Sequence, residues 1–318
     1  MTEQTAESVE QVLRDELLRG DAVIATARPV LRHLLANDES VLFRDELVAR
    51  VRGMVLDVAR QLLFCQAAAD EAQDRAAYVA RRQEGLAQAL FADTALVAHA
   101  HALAFEAYLV TRLERGNGID PVLTPLVDEL VAAHDPAMAG LAMAVLASQA
   151  RFQQHCRRME LPLHELPGEQ FHGALVMMRV QAMGDDRPAA ERAETQLREE
   201  FDESGGRVGL IARLVTSMGP RAGQALALDR AGLAIFASAL AIGSGQERDL
   251  VILSLAEPHG ARFALSLRAA GLDQHSAVEQ LLHLHPGIAL PAGFEQLRSD
   301  RAAALLAMAP PGAGSPAR

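Results

Sequence analysis

Apolar residues recur three and four positions apart along most of this chain, the spacing that lines one face of an α-helix, and little sequence separates one such run from the next. The pattern predicts a first helix from Ser8 to Arg19, closed by Gly20-Asp21. A second reaches Asn37 and bends at Pro29, because proline lacks the N–H that an interior turn needs. Asp38-Glu39-Ser40 punctuates, and a long helix follows from about Phe43 to Ala69, with Leu47, Val51, Met54, Val58 and Leu62 on its apolar side. The next run passes through Tyr78, Leu86 and Leu90. Asp93-Thr94 has the chemistry of a helix N-cap, and Gly116-Asn117-Gly118 that of a helix end. Pro121 and Asp135-Pro136 read as helix openings, since a proline in the first turn gives up no hydrogen bond. The two prolines of MELPLHELPGE (159–169) interrupt, and a helix resumes from Phe171 to Met183. Short helices then pass through Leu210, Leu226, Leu233, Leu250, Phe263 and Val278, and a last one spans Phe294 to Met308.

Composition agrees with that reading. Half the residues are hydrophobic but only 4% are aromatic, Trp is absent, and the apolar mass is Ala, Leu and Val. Ala and Leu are strong helix formers, whereas sheets favour β-branched and aromatic residues. The expected fold is therefore all-α: an antiparallel helical array, either an irregular HEAT-like α-solenoid or a multi-helix bundle, in two subdomains. Charge suggests where they divide. Residues 185–203 hold eight acids against three arginines and lead into Ser204-Gly205-Gly206. Residues 1–207 carry 33 acids and 21 arginines, net −12, while 208–318 carry 8 acids and 9 arginines, net +1. This predicts an acidic helical subdomain over 1–184, a charged helix and glycine hinge over 185–206, a C-terminal subdomain of short helices over 207–308, and a disordered tail over 309–318.

The whole-chain net charge of −11 argues against a nucleic-acid partner, which would need a basic face. The longest uncharged runs, Ala137–Ala150 and Ala231–Gln246, are shorter than the roughly 20 apolar residues of a membrane span, so they read as core helices. The acidic, polar start MTEQTAESVEQ does not resemble a signal peptide, and a cytoplasmic location with no membrane association is expected.

All 30 basic residues are arginine. The missing lysine removes the phosphate-gripping residue of a P-loop, the Schiff-base residue of pyridoxal enzymes and the strand lysine of protein kinases. Cys65 and Cys156 lie in apolar helical runs without ligand spacing and read as structural thiols. His164-Glu165-Leu166 has the start of a phosphoacceptor box, but Pro162 and Pro167 deny it the helix it would need. Glu169 and His172 have the Glu-x-x-His spacing of a di-iron helix without a second copy. His99 and His101, two positions apart, point about 200° apart on a helix and cannot share an ion. His283 and His285 suit, as cations, the negative end of a helix. No catalytic, cofactor or metal residue is assigned on these grounds. The candidate interaction surface is a stripe at i, i+4, i+7 and i+11: His101, Phe105, Tyr108 and Arg112.

Ala27 to Gly53, ARPVLRHLLANDESVLFRDELVARVRG, resembles the proline-bent helix and acidic turn of HEAT-like helical arrays, in particular an uncharacterised bacterial family known only as a domain of unknown function. Leu233 to Pro286, with ALAIGSGQERD and RFALSLRAAGLDQHSAVEQLLHLHP, is similar to the same family in its short Ala-Leu helices. The resemblance implies a helical array and transfers no site residues. The leading functional expectation is a non-enzymatic scaffold or regulatory protein that binds a protein partner or a second copy of itself, without a cofactor. The alternatives are a small-molecule-binding helical sensor, with a pocket near the His101 stripe or the LPLHELPG loop, and a metal-dependent enzyme using Glu169 and His172.

Overall fold

A computed structural model describes residues 9–21, 45–257 and 260–308; among them every regular element is helical and no strand occurs. The segment around Pro29, the turn at 38–40 and the tail 309–318 lie outside the described residues, as does the HEAT-like stretch up to residue 44. The helices are α1 (9–21), α2 (Asp45–Ala69), α3 (Arg75–Phe91), α4 (Thr94–Asn117), α5 (Pro125–Val131), α6 (Pro136–Arg158), α7 (Gly168–Gln181) and α8 (Arg187–Glu200). They continue as α9 (Arg207–Ser217), α10 (Leu228–Ser244), α11 (Arg248–Ser254), α12 (Ala261–Ala269), α13 (Gln274–Leu284) and α14 (Ser299–Met308), with short 3-10 turns between.

Local chemistry sets many of the boundaries. The Asp93 carboxylate accepts the N–H groups of Ala95 and Leu96 at the start of α4, and Gly118 closes that helix at φ 69°, a left-handed conformation that glycine adopts without strain. Asp74, Thr124, Asp135 and Asp273 cap α3, α5, α6 and α13 in the same way. Pro121 does not open a helix. The Asp120 carboxylate accepts from the N–H groups of Val122 and Leu123 and turns the chain there, so α5 begins four residues later behind Thr124.

α4 is the central element. It packs against α2 and α3 on one side and against α10 and α11 on the other, and fourteen of its residues are buried. Within the charged stretch 185–203 the expected helix is α8, which packs on α2 and buries Ala189, Ala190, Ala193 and Leu197. Buried apolar residues from Val9 to Leu306 make one contiguous cluster that crosses the charge boundary at Arg207. Among the described residues no single helix is long and apolar enough to cross a membrane, and α10, which carries the Ala231 run, is buried along most of its length.

Candidate functional site

Between Thr94 and Thr111 the only acidic or arginine side chain is Glu106, and it is fully buried. His99 stands seven residues earlier, two helical turns away, so both project from one face of α4. Arg207, the first residue of α9, forks onto Glu106 with Nη1 2.8 Å from Oε1 and Nη2 2.9 Å from Oε2. Arg248, the first residue of α11, forks onto the same carboxylate at 2.8 and 3.0 Å. Arg207 also lies 3.6 Å over the Phe152 ring and donates to Gln149 Oε1 at 3.2 Å, while Arg248 Nε donates to Ser238 Oγ at 2.9 Å. Burial opposes the charge on Glu106, but the two guanidiniums outweigh it and hold the carboxyl well below the usual carboxylate range. Lysine could not make this arrangement, because a point charge has no fork to match two carboxylate oxygens at once.

Beside this cluster a cleft of about 720 Å³ opens. One wall is the first turn of α11 with His99 of α4. The other is the loop 164–170 with the N-terminal turns of α7 and α9. This second wall is tightly packed: a Cβ at Gly206 would lie 2.7 Å from the His164 carbonyl oxygen, and one at Gly209 would lie 2.8 Å from that of Glu203. His99 is 3% exposed, and its Nδ1 lies 2.6 Å from Asp249 Oδ2. A carboxylate only accepts, so Nδ1 carries the hydrogen. His99 Nε2 and Gln170 Oε1 are buried atoms without a partner, and both residues line the cleft. Glu165 Oε2 accepts the Arg207 backbone N–H at 3.3 Å, and Glu169, Glu203 and Glu247 stand exposed around the mouth. Among the described residues of the lining, five carboxylates thus face a single guanidinium, and Glu106 already holds that one.

The stripe at His101, Phe105, Tyr108 and Arg112 does not form an outer surface. His101 and Phe105 are 1% and 0% exposed, Tyr108 stacks on Phe105 with centroids 5.9 Å apart, and Arg112 Nη2 donates to the Leu284 carbonyl. The reason is positional: α4 is wrapped on more than one side, so a face that reads as amphipathic in the sequence meets the C-terminal helices instead of solvent. His285 is not placed as a cation at a helix end either. Its Nε2 is 2.9 Å from the Leu255 carbonyl oxygen, and burial pushes its pKa down, so it is a neutral packing residue and not a cation at a helix end. His164 lies exposed in a 3-10 turn, and His172 Nδ1 accepts from Arg198 Nη2 at 2.6 Å. Burial pushes the Cys156 thiol up to about 12 and that of half-buried Cys65 upward as well. Among the described residues no three His, Cys, Asp or Glu side chains are grouped to hold a metal ion.

Sequence reasoning passed over Glu106, Arg248 and Asp249. A signal for the first was present: one carboxylate inside an otherwise uncharged Ala-Leu helix must be either exposed on a polar face or paired in the interior, and α4 has little polar face to offer. No family model, no characterised protein and no solved structure matches the chain.

Proposed function

We propose that this chain is a ligand-binding helical protein and that the cleft between α11 and the 164–170 loop holds a small molecule. The observation that carries this is a cleft of about 720 Å³ whose lining includes His99, a 97% buried residue with an unpartnered ring nitrogen. Small-molecule sites fall at roughly 300–1,000 Å³ and combine apolar walls with a few convergent polar groups. A buried polar atom left without a partner costs about 1–3 kcal/mol, a penalty that a bound donor removes. The Glu106, Arg207 and Arg248 cluster supports the same reading, since it fixes the start of α11 and with it Asp249. Two unpaired cysteines suit a reducing compartment, and a cytoplasmic setting goes with the proposal.

Native mass spectrometry of protein purified without denaturation tests this. A retained compound is expected in the wild type and its loss in Ala212→Trp, which fills the cleft from α9 while leaving the helical circular dichroism unchanged. If no compound is retained and none in a thermal-shift screen stabilises the protein, the reading fails.

A further inference from the structure

We infer that the ligand is an organic cation bearing N–H donors, an amine or a guanidine, bound by the carboxylates of this cleft; the inference rests on the cleft being a ligand site. Two independent features point the same way. The first is charge. Glu169, Glu203 and Glu247 ring the mouth, Asp249 and Glu165 stand on the walls, and the one guanidinium present is fully engaged by Glu106 and Ser238. Among the described residues of the lining, an anion entering here would meet five carboxylates against one engaged guanidinium and the His164 imidazole, which itself lies 3.7 Å from Glu165. The N-terminal ends of α7 and α9, which would otherwise attract an anion, already have carboxylates beside them: Glu169 lies in the first turn of α7, and Glu165 accepts the first N–H of α9.

The second feature is hydrogen-bonding sense. The buried polar atoms that the cleft leaves without partners are His99 Nε2 and Gln170 Oε1. In the neutral imidazole, Nδ1–H directed at Asp249 leaves Nε2 as an acceptor, and an amide oxygen is an acceptor too. In that form both unpartnered atoms of the described lining ask for a donor. A bare divalent metal ion answers the charge but not this pattern, and no three ligating side chains are grouped to hold one among the described residues. An alkylammonium or guanidinium answers both, with its apolar stem against Leu166, Val208 and Ala212 of the lining.

Isothermal titration of the full chain at matched ionic strength decides the point, using putrescine and agmatine as donor-bearing cations, tetramethylammonium as a cation without N–H groups, and succinate as an anion. Putrescine or agmatine is expected to bind, and tetramethylammonium and succinate are not. The triple variant Glu169→Gln, Glu203→Gln, Glu247→Gln changes exposed positions only, so it should fold normally by circular dichroism and bind at least about tenfold more weakly. Binding of succinate, or equal binding of tetramethylammonium, overturns the inference. So does the absence of heat from both amines. In that case a compound retained in native mass spectrometry leaves the ligand-binding reading standing without its cationic class, and an empty cleft removes both.

Discussion

Glu106 keeps its charge in the interior only because two forks close on it. Substituting Gln preserves shape but leaves Arg207 and Arg248 facing each other with one acceptor between them, and breaking a buried pair in this way costs roughly 3–5 kcal/mol. Urea denaturation of Glu106→Gln should show a loss of that size, and a loss below about 1 kcal/mol would mean that the pair is hydrated. A carboxyl held low in the folded state contributes stability that is present above its unfolded value and lost as pH falls. Acid should therefore weaken the wild type below about pH 4.5 more than it weakens the Gln variant. Glu257 shows the opposite sign. It is 3% exposed, and burial, helped by nearby Asp21, raises its pKa to about 8 against the pull of Arg262. The folded chain then keeps a proton that the unfolded chain has released, so stability declines as pH rises from 4.5 towards about 8 and is level above that. Glu257→Gln, a permanent mimic of the protonated form, should melt close to wild type at pH 5 and clearly above it at pH 8.5. The gap should be on the order of a few kcal/mol. Melting curves of equal separation at both pH values would contradict this.

At the scale of elements, α10 depends on one residue. Gly232 sits at φ 70°, ψ 163° and breaks the helix into two directions, and a Cβ there would lie 2.6 Å from Thr124 Cγ2 of the α5 cap. Gly232→Ala therefore combines backbone strain with a steric clash and should cost about 2–3 kcal/mol, measured as a lower urea midpoint with unchanged slope. The same mutation at Gly85, which is helical with open space around its Cβ position, should be neutral or stabilising. That contrast also shows what was legible in the sequence. Elements bounded by short-range chemistry could be read directly: Asp93 and Gly118 for α4, Asp135-Pro136 for α6, and the two prolines before α7. Pro121 misled because the Asp120 side chain competes for the same N–H groups, and nothing in the residue types says which wins. The candidate site was legible only at its loop, 164–170. Its other wall comes from residues about 65 and 80 positions away, and their convergence follows from helix packing, which periodicity does not encode. The choice of stripe on α4 failed for the same reason. His101 and Phe105 form as regular a pattern as His99 and Glu106, and only the partners on each side tell a packing seam from a site.

Over the whole molecule, the charge contrast about Arg207 is directed inward. Arginines of the C-terminal part reach acids of the N-terminal part at Arg230 with Glu129, Arg248 with Glu106, Arg262 with Asp21, and Arg301 with Glu10. The acidic excess that reads in sequence as an outward-facing surface is partly the receiving side of an internal interface. Pairs that are buried, as at Glu106 and Asp21, are screened little by salt, whereas Arg301 with Glu10 and Arg230 with Glu129 are largely exposed and contribute little each. Among the described residues one apolar cluster runs from Val9 to Leu306 and joins the two parts. Scanning calorimetry of the full chain should therefore give a single transition whose calorimetric and van't Hoff enthalpies agree, at 0.1 M and at 1 M NaCl alike. Glu106→Gln should move that transition down as one peak. Two resolved peaks in the wild type would show that 1–206 and 207–318 fold as independent domains. Splitting only at 1 M salt would show that the exposed pairs, and not the shared core, join them.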